Sequence, residues 1–112
     1  MTNKEVATMI DSTGYPNAYY QFEPDPNNPP PAPPFICFYY PNSDDLYADN
    51  VNYQRIAALV VELYTDNKDF TAESAVESAL ANAGLPWSKT EAYIDSEKMY
   101  QITYNTEVVL NA

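Results

Sequence analysis

The sequence predicts an α+β fold: a two-layer sandwich in which a mainly antiparallel sheet of four to five strands carries two helices on one face. Three observations predict it. Two segments repeat their apolar residues at helical spacing, whereas several others alternate with a period of two. Most connections between these segments are short, which favours antiparallel neighbours. The elements run in the order α-β-β-β-α-β-β along 112 residues, the length of a single domain, with no internal repeat.

Thr2-x-x-Glu5 reads as a capping box, and Val6, Met9 and Ile10 follow at helical spacing. Gly14 and Pro16 end that helix after about three turns. Ala18 to Glu23 alternates as a strand, with Ala18, Tyr20 and Phe22 on one face. Residues 24–34 hold seven of the ten prolines, so they are expected as an extended polyproline-like loop of up to about 34 Å. Phe35 to Tyr40 is aromatic on both faces and reads as a central strand closed by Pro41. Residues 42–50 are rich in turn formers and read as a polar loop. Val51 to Thr65 is a long strand with Val51, Tyr53, Ala57, Leu59, Val61 and Leu63 on one face and Arg55 as the exception. After a turn at 66–69, Thr71 is expected to cap a second helix, whose stripe of Val76, Ala79, Leu80 and Ala83 lies opposite Glu73, Glu77 and Ser78. Gly84-Leu85-Pro86 stops it, with Leu85 placed for the apolar contact of a Schellman motif. Trp87 to Ile94 and Met99 to Leu110 supply the last two strands.

A 112-residue globule has a diameter of roughly 34 Å, whereas a straight strand from 51 to 65 would extend about 50 Å. The strand must therefore bend at a bulge near Arg55 or project as a hairpin arm. A projecting arm is an edge open to a partner chain.

Charge and composition exclude much. Sixteen acids against five bases and no histidine give a net charge of −11. That balance opposes binding to a nucleic-acid backbone, and the lack of imidazole removes Ser-His and Cys-His nucleophile pairs and histidine-bearing metal sites. Two glycines cannot make a phosphate-cradling loop. Cys37, the single cysteine, sits in an apolar run and reads as a buried small residue. The amino terminus lacks a signal-peptide pattern and no segment approaches the ~18 apolar residues of a membrane span, so a cytoplasmic origin without membrane attachment is expected.

Asp44, Asp45 and Asp49 form the densest acidic cluster, but a calcium loop needs a mid-loop glycine that this segment lacks; the reading is a solvated loop, with no metal or cofactor. The spacing of the carboxylates selects no pair for glycoside cleavage. Tyrosine is in excess, eleven in all, and several flank the two loops before residue 50. Strands favour tyrosine, and so do protein interfaces, where a rigid amphipathic ring buries a large area. Tyr39, Tyr40, Asp44, Asp45, Tyr47, Asp49, Asn50, Tyr53 and Arg55 are the expected oligomer or partner interface, and no residue is expected to be catalytic.

Pro34-Phe35-Ile36, Leu46-Tyr47-Ala48-Asp49-Asn50, Val61-Glu62-Leu63-Tyr64-Thr65 and Tyr93-Ile94-Asp95-Ser96-Glu97-Lys98-Met99-Tyr100 carry a resemblance over about residues 4–108. In order and spacing they resemble the small tail-terminator, or tail-completion, proteins of long-tailed phages and prophages of Gram-positive bacteria. The proline-rich insert at 24–34 departs from that pattern. The resemblance implies an α/β sandwich and a non-enzymatic virion part: a ring, generally of six copies, that caps the head-proximal end of the tail tube, stops its polymerisation and receives the head. Its implied partners are further copies of itself, the tail tube protein and a head-completion or connector protein, in a virion assembled in the host cytoplasm. A heterologous ring contact needs two complementary surfaces per subunit. An acidic bore, with Asp44, Asp45 and Asp49 near it, would let DNA pass without adsorbing. The alternative reading is an acidic inhibitor that mimics DNA to block a host nuclease, although the acids are scattered rather than set in rows.

Overall fold

A computed structural model describes residues 1–43, 46–48 and 51–110, with 46–48 and 51–54 described as backbone. The elements are α1 (Asn3–Asp11), β1 (Asn17–Tyr19), β2 (Phe35–Tyr39), β3 (Leu46–Ala48), β4 (Val51–Thr65), α2 (Phe70–Asn82), β5 (Ser88–Ile94) and β6 (Met99–Leu110). The sheet has the strand order β1-β2-β4-β6-β5, with β3 paired to one end of β4. Every pairing is antiparallel except β1 with β2, which is parallel. The long proline-rich connection makes that exception possible, because a parallel pair needs a crossover rather than a tight turn.

Both helices cover one face. Ile36 and Phe38 of β2, Leu59, Val61 and Leu63 of β4, and Ile102, Tyr104 and Val108 of β6 pack with Val6 and Ile10 of α1 and with Val76 and Leu80 of α2 in one core. Period-two alternation places these strand residues on the same side, and i, i+3, i+4 spacing does the same in the helices. The two-layer α+β sandwich with both helices on one face is therefore the fold.

Local signals explain the helix ends. Thr2 Oγ1 accepts from the Glu5 amide at 3.1 Å, and Glu5 Oε1 accepts from the Thr2 amide at 3.0 Å, completing the capping box. At the end of α2, Gly84 has φ +75° and the Leu85 amide donates to the Leu80 carbonyl at 3.0 Å, a Schellman closure that seats Leu85 against the core.

Five expectations are corrected. The first strand runs Asn17–Tyr19, not 18–23, because Tyr20 takes φ +69° and turns the chain away. The proline-rich segment is not extended throughout: Asp25 Oδ1 accepts from the Asn27 amide at 2.9 Å and the Asn28 amide donates to the Asp25 carbonyl, so an Asx turn folds it. The cap of α2 is Asp69, whose side chain accepts from the Ala72 amide at 2.9 Å, and not Thr71; Asp is the stronger N-cap. Glu73 does not face solvent but is 2% exposed. The segment 42–50 is not all loop: it contains β3, and it makes a bridge between Ser43 and Ala57.

This last difference has a geometric cause. β2 pairs with β4 only from Val60 to Tyr64, so the earlier part of that same edge of β4 is left over, and the Ser43–Ala57 bridge and then β3 pair with it. Backbone pairing thus overrides the turn preference of the sequence. The register shifts between Leu46 and Tyr47, opposite Gln54 and Asn52, so the expected irregularity lies just ahead of Arg55 and the β3–β4 hairpin runs past the end of β6. The chain is accordingly longer than a sphere, with extents of 50 × 31 × 25 Å.

Candidate interaction surfaces

The expected interface residues whose side chains are described, Tyr39, Tyr40 and Arg55, separate onto two faces. Tyr39 and Tyr40 are adjacent in sequence, and strand alternation sends them opposite ways. Tyr47 lies in β3 and pairs with Asn52 of β4, and Tyr53 lies in β4 at the register shift between the paired Asn52 and Gln54. Asp44, Asp45, Asp49 and Asn50 lie outside the described residues.

On the helix side, Tyr40, Arg55, Tyr19 and Asn42 line a cleft near the end of α1. The Tyr40 amide donates to Tyr19 Oη at 3.2 Å, and the Tyr19 ring meets Phe38 edge-on at 5.5 Å. Burial, then the neighbouring Tyr19, raises the Tyr40 phenol above its ordinary pKa. Arg55 is exposed at the rim and makes no ion pair among the described residues.

Among the described residues, the opposite face of the sheet carries no helix. There Tyr39 lines a groove with Tyr20, Phe22, Phe35, Glu62 and Tyr64, and Pro30 of the proline-rich segment and Glu97 stand at its margin. The rings are mutually packed: Phe35 stacks on Tyr64 at 5.0 Å, Phe22 meets Phe35 edge-on at 5.5 Å, and Tyr20 tilts against Tyr39 at 5.2 Å. The positive φ of Tyr20 is what carries the chain from β1 over onto this face, and a bulky residue in that conformation is strained. Gln101 Nε2 donates to Glu62 Oε2 at 2.6 Å and to Tyr64 Oη at 2.9 Å. Burial pushes the Glu62 carboxyl above its ordinary pKa, against the opposing effect of Tyr64, and no ion pair to Glu62 occurs among the described residues. Burial also drives Tyr64 up to about 12 and Cys37 up to about 11. Cys37 is therefore a protonated, buried thiol, with no thiolate for nucleophilic chemistry at neutral pH.

A third cluster joins α2 to β5 and β6. The Glu73 oxygens lie 2.7 Å from Lys68 Nζ and 2.7 Å from Lys89 Nζ, an ion pair with each lysine. Lys89 also reaches Glu77 at 2.9 Å, Lys68 pairs with Glu91, and Tyr104 Oη donates to Glu77 at 2.8 Å. Burial alone would raise the Glu73 pKa; the two ammonium groups outweigh it and hold the carboxyl below its ordinary value. Residue spacing carried a signal for this site, since Glu73 precedes Val76 by three and Leu80 by seven and so shares their buried face. Among the described residues no group of three or more His, Cys, Asp or Glu is placed to hold a metal ion. No helix is long and apolar enough to cross a membrane among the described residues.

The molecule thus belongs, by architecture, with α+β sandwiches whose helices cover one face and leave the other open. No protein-family model matches the chain, and no curated protein matches it. Among solved structures, the fold is similar to that of a chain in the virion of a native gene transfer agent particle, with a TM-score of 0.63 and 15% identity over 95% of this chain and 86% of that one.

Proposed function

We propose that the chain is a structural protein of a phage-like virion that caps the head-proximal end of a tail tube as an oligomeric ring, arrests tube polymerisation and mediates head joining, with no catalytic step. The observation that carries this reading is the likeness of nearly the whole chain, 95% of it, to a chain of a virion. The tail-terminator position within the virion rests on the sequence resemblance, above all Tyr47-Ala48-Asp49-Asn50 and Ser96-Glu97-Lys98-x-Tyr100. The open sheet face and the hairpin running beyond β6 are the kind of separate surfaces that neighbouring copies, a tube protein and a connector protein would use. Glu73, Glu77 and Glu91 are engaged by lysines of the same chain, which weighs against the alternative as a DNA mimic. The test is electron microscopy of tails assembled with and without the chain. Tails of uncontrolled length and unjoined heads are expected without it; normal tails and joined heads without it overturn the reading.

A further inference from the structure

Among the described residues, Arg55 and Glu62 are a cation and an anion without an ion pair, and because they sit on one strand a single copy of the chain cannot join them. They lie seven positions apart along β4, about 24 Å, and their opposite parity puts them on opposite faces of the sheet. Their surroundings are complementary. Arg55 is exposed beside the cleft, whereas Lys68 and Lys89 are engaged by carboxylates. Glu62 lies half-buried among Tyr39, Tyr64 and Phe35, with Glu97 at the margin, so a guanidinium entering the groove meets a carboxylate at its floor and aromatic rings at its sides. Arginine suits that site best, since it pairs with carboxylates and stacks on rings.

We propose that Arg55 of one copy docks against Glu62 in the aromatic groove of the next, forming a heterologous contact between copies of this chain. This inference rests on the ring reading above and names the contact that would close the ring. Two different patches on each subunit, each filled by the other patch of a neighbour, are what a closed ring requires. It also gives the proline-rich segment a role, because Pro30 and the Phe22 ring extend the wall of the groove.

The test is charge exchange in the full chain, scored in cells as the fraction of tails with defined length and joined heads. Arg55→Glu and Glu62→Arg are each expected to lower that fraction tenfold or more. The double variant R55E/E62R is expected to return to within threefold of wild type. Co-expressing the two single variants should rescue as well, since alternating them around an even-membered ring satisfies every contact. Glu62→Gln, which keeps the side-chain shape, is expected to lose threefold or more with an unchanged circular dichroism spectrum. Single variants that assemble like wild type, or a folded double variant as defective as the singles, overturn the contact. In that event the ring reading stands as long as removing the whole chain still deregulates tail length.

Discussion

Glu62 and Glu73 are both carboxylates withdrawn from water on one small sheet, yet their surroundings push them in opposite directions. Glu73, on the helix side, is more deeply buried, and two lysines of its own chain hold it ionised. Glu62, on the open side, has a glutamine and a tyrosine as neighbours, and burial raises its pKa. A buried charge without a cation is a cost to the isolated subunit. The helix-side carboxylate is neutralised within the fold, whereas the open-side carboxylate has no ion pair among the described residues, which is what the proposed contact between copies would supply.

The largest effect should come from stripping Glu73 of its cations. The double variant K68M/K89M is expected to lose about 3–5 kcal/mol, because a buried carboxylate is left alone. Adding Glu73→Met should recover most of that, since an apolar replacement of the whole network is tolerated; urea unfolding of the double and triple variants decides. A neutral double variant would place Glu73 in contact with water and dissolve the contrast.

The next effect compares the two faces at adjacent residues. Leu59 is fully buried beneath the helices, and Leu59→Ala is expected to cost about 2–5 kcal/mol. Val60 is 7% exposed on the face without helices, where it lines a groove, and Val60→Ala is expected to cost less, about 1.5 kcal/mol. Equal losses would mean that the open face is packed like a core. Tyr104→Phe removes the phenol that donates to Glu77 and is expected to cost about 1–2 kcal/mol by thermal or urea unfolding.

The smallest effect sharpens the comparison by pH. The ordinary carboxyl value is 4.5 for both residues. Glu73 has a lowered folded pKa, so its stabilisation is present above 4.5 and fades as pH falls through the folded value. Glu62 has a raised folded pKa, so its stabilisation is present below 4.5 and is lost as pH rises through the folded value. Glu62→Gln should therefore stabilise the isolated subunit, by up to about 1 kcal/mol near pH 7 and less near pH 4. A gain that is larger at the acid end would reverse the assignment of Glu62 as an unrelieved charge.

Much of the fold was legible because it depends on short-range patterns. The bounds of β4 and β6 follow from alternation, and α1 follows from its capping box. What escaped was set by distant neighbours. β3 exists because β4 outlasts β2 along their shared edge, a fact about two strands meeting in space. Burial of Glu73 was readable from its spacing to Val76 and Leu80, but a lone acid on an apolar face makes sense only once Lys68 and Lys89 arrive from outside the helix. At the interaction surfaces, Arg55 and the two adjacent tyrosines were visible in the sequence. The parity of Glu62 marked its face but not its surroundings, because most of the rings around it come from β2 and from the segment after β1, which only the fold brings together.

By itself, the sequence determined the class of fold, the helix caps, the two long strands and a charge balance hostile to nucleic acid, since each depends on propensity, periodicity or composition along the chain. Tertiary structure alone decided that β1 runs parallel to β2, that five aromatic rings gather around Glu62, and that β3 continues the β2 edge of β4. Those outcomes depend on which surfaces meet after the chain has closed on itself, and residues as far apart as Phe22, Tyr64 and Gln101 acquire a common environment only then.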